Sequence, residues 1–144
     1  MWFLYAVLAS VVWGLSYVLN GELFKSLSVL TVVAIQTFVT SVIFAVAAIL
    51  TGVFRNDVYS VMTSSRLMWL MLFGILALAI AEYGIGYSIQ GRNATLAGLI
   101  EISYPIFIAL FAYFLFGENQ LSFATAVGGV LIFAGVSVIY VAAR

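Results

Sequence analysis

The chain has 144 residues, of which 66% are hydrophobic and only 7% are charged, with five acidic residues balancing five basic ones. Soluble domains are about 45–50% apolar and about 25% charged, so this composition predicts an integral membrane protein. The balanced charge gives no indication of nucleic-acid binding, and the absence of cysteine and histidine excludes disulfides, thiolate or imidazole metal ligands and histidine-dependent nucleophiles. We expect neither a metal nor a cofactor.

Five apolar windows follow one another along the chain, each close to the length of about 20 residues that a helix needs to cross a bilayer. They are Trp2–Leu19, Leu30–Leu50, Leu67–Ile89, Ala94–Phe116 and Phe123–Ala142. Strands of a membrane barrel would alternate in polarity, and these windows do not. The sequence therefore predicts an all-α, multi-pass protein of the cell (inner) membrane whose five transmembrane helices form one domain over residues 1–144.

The first two helices each carry a face of small and polar side chains. In the first helix this face contains Ala6, Ser10, Trp13, Gly14, Tyr17 and Gly21, and in the second it contains Gln36, Thr40 and Ala47. Small residues allow helices to approach closely in lipid, so ordinary helix packing explains such faces. The aromatic and hydroxyl groups on them favour a second interpretation, in which Trp13, Tyr17 and Gln36 line a cavity.

The longest gap between windows, Gly52–Arg66, mixes apolar residues such as Phe54 and Val58 with polar ones. This mixture is typical of a short amphipathic segment in the membrane interface. It is equally typical of a plain loop, and the sequence does not decide between them.

Two acidic residues, Glu82 in the third window and Glu101 in the fourth, lie inside apolar windows that hold no Lys or Arg. A charged acid at the bilayer centre costs about 2.5–3.5 kcal/mol on insertion scales, so such residues are functional candidates by default. An apolar environment favours the neutral carboxyl group, which makes proton binding the simple way to lower that cost. Coupling of a proton to substrate binding is therefore one interpretation, and a protonated Glu that hydrogen-bonds to a neighbouring helix is the other.

Pro105 lies four residues after Glu101, and on a helical wheel both share a side with Gly98 and Tyr104. Proline has no N–H to donate to the carbonyl of Glu101, so we expect the fourth helix to kink at Pro105. Irregular backbone at this depth is tolerated where it is buried in protein or lines a cavity. Glu101 and Tyr104 are therefore predicted to face a cavity, although a kink that serves packing alone is also consistent with the pattern.

The basic residues give little direction to membrane insertion. With five helices, one side of the membrane would carry Arg55 and Arg66, and the other would carry Lys25, Arg92 and Arg144. Orientation follows an excess of Lys and Arg on one side, and the excess here is one residue (three against two). A weakly biased single topology and a dual topology, in which a chain pairs with an inverted copy, both remain open.

The stretch "SYPIFIALFAYFLFGENQLSFATAVGGVLIFAGVSVIYV" resembles the end of an EamA-type repeat of the drug/metabolite transporter superfamily, and "VVWGLSYV" resembles its first-helix Trp-Gly motif. The matching features are Trp13, Gly14, Pro105, Gly117-Glu118, Gly128 and Gly135. Typical members carry two such repeats in inverted topology. The resemblance therefore implies a half-size transporter that a second copy or a homologous half completes.

The last helix, with "GGVLIFAGV", also resembles that of small multidrug resistance proteins, in which a glycine heptad mediates antiparallel dimerisation. By this resemblance Gly128 and Gly135, with Ala124 on the same face, would contact the second copy. Two features depart from these families: the first apolar window, Trp2–Leu19, has no acidic residue, and Gln36 stands in the region where many EamA repeats place an Arg. Glu101 belongs to neither family pattern, so its proposed role depends on the residues alone.

We therefore expect a secondary transporter, not an enzyme, that exports or exchanges small metabolites or amphipathic cations, with proton coupling, as an antiparallel homodimer. Its partners would be the bilayer, a second copy, the small-molecule substrate and protons. The alternative is a non-transporting membrane subunit, or half of a heteromeric flippase or transporter. The predicted substrate and proton site comprises Trp13, Tyr17, Gln36, Glu82, Glu101 and Tyr104.

Overall fold

The computed structural model describes residues 1–119 and 122–142, and every regular element within these ranges is an α-helix. The helices are α1 (Trp2–Leu23), α2 (Val29–Leu50), α3 (Phe54–Thr63), α4 (Ser65–Gly91), α5 (Ala94–Glu101), α6 (Tyr104–Phe116) and α7 (Phe123–Ala142). Five spans in this part of the chain are long and apolar enough to cross a membrane: α1, α2, α4, α5 together with α6, and α7. The predicted all-α class with five transmembrane helices is confirmed.

Local sequence signals explain where several helices begin and end. The side-chain oxygens of Ser28 and Asn93 accept hydrogen bonds from the N–H groups of Thr31 and Leu96, at 3.3 and 2.8 Å, and so cap α2 and α5. Such caps satisfy N–H groups that have no partner in the first turn. Gly117 ends α6 with a left-handed φ of 70°, a conformation that glycine adopts without steric cost.

The fourth span is interrupted at its acid and proline. α5 ends at Glu101, Ile102 and Ser103 form a turn, and α6 begins at Tyr104. Pro105 lies in the first turn of α6, where a missing N–H costs little because those groups have no helical partner anyway. The interruption places Glu101 at the carboxyl end of one helix and Tyr104 at the start of the next.

The chain divides into two compact units, one built from residues 1–19 and the described residues after 90, the other from residues 20–90. In the first unit α5 packs on α7. The buried apolar residues described in this unit are all small: Ala97 of α5, and Ala109 and Ala112 of α6. A Cβ atom at Gly129 of α7 would lie 3.2 Å from Cγ1 of Ile106, so α6 and α7 approach closely at that point. Small residues at helix contacts are what packing in lipid requires.

The second unit has a small apolar core of Phe24, Val29, Val32 and Ile89. Gly86 of α4 is buried directly against Val29 and Phe24. The amide nitrogen of Gln90 donates a hydrogen bond of 3.3 Å to the backbone carbonyl of Phe24, which ties the end of α4 to the segment after α1.

Large apolar side chains cover much of the outer surface of the spanning helices. Phe38 of α2 is 69% exposed in the isolated chain, and Phe114 of α6 is 74% exposed. Lipid tails are as apolar as these side chains, so they need no protein cover within a bilayer. This surface is that of an integral, multi-pass membrane protein in contact with lipid.

Candidate functional site

The first compact unit contains a cavity of about 530 Å³ between α1 and the region where α5 passes into α6. Small side chains and aromatic rings form most of its lining: Ala6, Ala9, Ser10, Trp13, Gly14, Tyr17, Gly98, Glu101, Ile102 and Tyr104. Its volume lies within the range of about 300–1,000 Å³ that is usual for small-molecule sites.

The contribution of α1 follows from helical spacing. Trp13 and Gly14 follow Ser10 by three and four residues, and Tyr17 follows Trp13 by four, so these residues share one face of the helix. The rings of Trp13 and Tyr17 are in edge-to-face contact, with their centroids 5.7 Å apart. The small residues on this face leave the space, and the two rings give it aromatic walls.

Among the described residues that line the cavity, Glu101 supplies the only carboxyl group, and none of them is Lys or Arg. The hydroxyl group of Tyr17 donates a hydrogen bond to Oε2 of Glu101, and both side chains are half-buried. This contact joins α1 to the end of α5.

The cavity combines one acidic group with the rings of Trp13, Tyr17 and Tyr104. A carboxyl group without a basic neighbour can take up either a proton or a cation, and aromatic faces attract cations through the ring quadrupole. This combination suits exchange of a proton for a positively charged or amphipathic molecule.

The structure places the other two predicted site residues in the second unit. The amide nitrogen of Gln36 donates a hydrogen bond of 2.7 Å to the side-chain oxygen of Asn20, across α1 and α2. Glu82 is half-buried on α4, where it lines a second, mainly apolar cavity of about 530 Å³ that also includes Thr37, Ser41 and Tyr83. Of the six predicted residues, the structure therefore brings together Trp13, Tyr17, Glu101 and Tyr104 at one cavity.

The residues predicted to contact a second copy all belong to α7. Cβ atoms at Gly128 and Gly135 would meet no atom of the described chain within 4 Å, and Ala124 is exposed. Gly129, which was not singled out from the sequence, is instead the glycine of α7 that packs on Ile106 within the chain. The role of Gly128, Gly135 and Ala124 in dimerisation stays a prediction.

Sequence reasoning missed Asn20 as the partner of Gln36, because nothing in a single sequence shows which helix faces meet. Its position near the end of an apolar window was the available signal, since a polar side chain there needs a hydrogen-bond partner. Among the described residues there is no group of three or more acidic, Cys or His side chains that could hold a metal ion.

Comparison with known proteins gives one match. A family model described as the EamA-like transporter family matches residues 1–141. No curated protein and no solved structure matched the chain.

Proposed function

We propose that this chain, which belongs to the EamA-like transporter family, is a secondary transporter of small metabolites or amphipathic cations and that Glu101 carries the coupled proton. The family is one of membrane transporters of the drug/metabolite type and not of enzymes. The observation that carries the finer proposal is the half-buried carboxyl group of Glu101, held by Tyr17 in an aromatic cavity at a break in a transmembrane span.

The charge balance of the cavity explains why exchange would be coupled. With a proton on Glu101, or with a monovalent cation beside the charged carboxylate, the site is neutral, because none of the described residues that line it is Lys or Arg. Without either, one negative charge lies within the membrane, at a cost of about 2.5–3.5 kcal/mol on insertion scales. The loaded states can therefore change orientation more easily than the empty state, and this difference enforces one-for-one exchange.

The break between α5 and α6 is a point at which the backbone can move during exchange. Transporters commonly form their sites at discontinuous helices, where the backbone can change without disrupting a continuous hydrogen-bond ladder. Here Ile102 and Ser103 separate the helix that carries Glu101 from the helix that carries Tyr104. A small rotation at this turn would alter access to the carboxyl group, as alternating access requires.

Substitution of Glu101 tests this proposal. Purified protein is reconstituted into phosphatidylcholine vesicles, and uptake of tetraphenylphosphonium is followed under an imposed pH gradient. We expect Glu101→Gln to abolish uptake driven by the pH gradient, because an amide neither releases a proton nor pairs with a cation.

The matched control for this experiment is Glu22→Gln. It makes the same chemical change at an exposed acid whose partner is Lys25, three residues away, and an exposed ion pair of this kind contributes little to stability. It should transport at the rate of the unmodified protein. Full pH-driven uptake by Glu101→Gln would remove Glu101 from the mechanism.

The proposal includes an antiparallel homodimer in the cell (inner) membrane. The near-equal division of Lys and Arg, two against three, supports insertion in both orientations. Gly128 and Gly135 would then contact the inverted copy, since open space beside them leaves room for another helix to approach.

The same charge balance also favours a second candidate, in which the chain is a non-transporting subunit or half of a heteromeric flippase or transporter. In that case the partner would be a different, oppositely oriented chain. Co-purification of such a chain in stoichiometric amount, together with no uptake by the isolated protein, would support this candidate over the homodimer.

A further inference from the structure

Gly98 lies directly beneath the ring of Tyr17. A Cβ atom at Gly98 would be 3.3 Å from Cδ2 and 3.5 Å from Cε2 of that ring, the first of which is tighter than an ordinary van der Waals contact. Gly98 is also three residues before Glu101 on α5, so both occupy the same side of the helix. The ring thus lies along the surface of α5 and reaches Glu101 one turn further on.

The ring of Tyr17 is held from three directions. Trp13 makes edge-to-face contact with it, the backbone of Gly98 lies against its side, and Glu101 accepts its hydroxyl hydrogen. Rotation about the Cβ–Cγ bond of Tyr17 would move the ring edge without moving the hydroxyl group, but the edge-to-face contact with Trp13 opposes that rotation. A displacement of the ring at its edge therefore also moves the hydroxyl group. The contact with Glu101 therefore depends on what occupies position 98.

We infer that Gly98 is a positioning residue, whose missing side chain allows the Tyr17 hydroxyl to reach the Glu101 carboxylate. An added methyl group would displace the ring by a few tenths of an ångström toward the open cavity and would weaken that hydrogen bond. The consequence for transport depends on the proposed function, whereas the contact itself does not. Not every glycine in a spanning helix has such a role, since a Cβ atom at Gly74 would meet nothing within 4 Å.

Infrared spectroscopy of the unliganded protein in phosphatidylcholine nanodiscs tests this inference. The contribution of Glu101 is obtained as the difference between the spectra of the unmodified protein and Glu101→Gln. Tyr17→Phe then defines the spectrum of a Glu101 carboxyl group without its hydrogen-bond donor. We expect Gly98→Ala to shift the Glu101 band in the same direction as Tyr17→Phe, and Gly74→Ala to leave the band unchanged.

If Gly98 served helix packing alone, Gly98→Ala would not shift the Glu101 band in the direction of Tyr17→Phe. A Glu101 band that is unchanged in Gly98→Ala would overturn the inference, as would an unchanged band in Tyr17→Phe. The double variant Gly98→Ala/Tyr17→Phe should match Tyr17→Phe, and an additional shift would show that Gly98 acts by another route. Gly98→Ser, which carries the same Cβ atom, gives a second reading if Gly98→Ala does not assemble.

These spectra are recorded without ligand and without a pH gradient, so they separate the inference from the proposed function. A shifted Glu101 band in Gly98→Ala, together with no tetraphenylphosphonium uptake by the unmodified protein, would support the positioning role of Gly98 and refute the proposed cation transport. An unchanged Glu101 band in Gly98→Ala, together with normal uptake by the unmodified protein, would refute the positioning role and support the proposed cation transport.

Discussion

Among single residues, Glu101 has surroundings that can accommodate a carboxyl group within a membrane. The hydroxyl group of Tyr17 donates to it, and the lining around it is otherwise small or aromatic. The sequence identified this residue from its cost in lipid and from Pro105 four positions later. It did not identify Tyr17 as the donor, because the wheel of each helix defines a face but not the face that it meets.

A second residue, Gly86, carries a prediction about stability. A Cβ atom there would overlap Cγ1 of Val29, a β-branched side chain that is only 1% exposed and has little freedom to move. We expect Gly86→Ala to lower the free energy of unfolding by about 1–3 kcal/mol, as overpacking usually does. Thermal unfolding of the purified protein in detergent measures the effect.

The control for Gly86→Ala is Gly84→Ala, since a Cβ atom at Gly84 would meet nothing within 4 Å. Both changes gain the same helix propensity, which favours Ala over Gly by about 1 kcal/mol in a helix interior. Equal melting temperatures for the two variants would show that α2 and α4 do not pack as closely at Gly86 as the structure has it.

At the scale of helices, the segment between α2 and α4 resolves an ambiguity of the sequence. Residues Phe54–Thr63 form the helix α3, which contacts α2. Ten residues of helix are about 15 Å long, half the thickness of the hydrocarbon core, so α3 cannot span it. It connects two spans with Phe54, Val58 and Met62 on one side and polar residues on the other.

We expect α3 to lie in the membrane interface with its apolar side in lipid. The chain has no cysteine, so single Cys residues can be introduced and spin-labelled. Labels at Val58→Cys and Met62→Cys should be more accessible to oxygen, which concentrates in lipid, and labels at Asn56→Cys and Ser60→Cys to a water-soluble nickel chelate. Equal accessibility at all four positions would show that α3 is a solvated connection.

Most of the helical architecture was predictable because lipid imposes a simple rule on sequence. The windows Ala94–Phe116 and Phe123–Ala142 coincide with spans in the structure, and the other three differ by a few residues at their ends. Local chemistry was less decisive: the mixed composition of 54–63 did not separate helix from loop. Pro105 signalled an irregularity, but the turn falls at Ile102 and Ser103, before the proline.

The lining of the cavity was only partly predictable, because one sequence does not show which helix faces meet. The wheels grouped Trp13 with Tyr17 and Glu101 with Tyr104, and the structure places both groups around one space. Gln36 was assigned to that space by the same reasoning, yet it pairs with Asn20 in the other compact unit. Periodicity gives the side of a helix on which a residue lies, and only tertiary packing decides its neighbour.

At the scale of the whole molecule, the distribution of charge carries the prediction about assembly. An odd number of spans puts the ends of the sequence on opposite sides, and a single additional Lys or Arg barely favours one orientation. Reporters fused after Arg144, one active on each side of the membrane, should therefore both give signal. Arg144 itself lies outside the described residues.

The reporter experiment has an internal control in the charge count. Adding four Lys residues to the Gly52–Arg66 connection should shift the signal strongly toward one side, because six basic residues would then oppose three. Signal from one side only in the unmodified chain would contradict the antiparallel homodimer and leave a single orientation.

If an amphipathic cation exchanges for a proton at Glu101, uptake into proteoliposomes of the unmodified protein must follow the pH gradient. Vesicles with an acidic lumen should accumulate tetraphenylphosphonium above its external concentration, and reversing the pH gradient should reverse the net movement. Both effects should be absent in Glu101→Gln. Uptake that is independent of the pH gradient, or that persists unchanged in Glu101→Gln, would show that no such exchange takes place at Glu101.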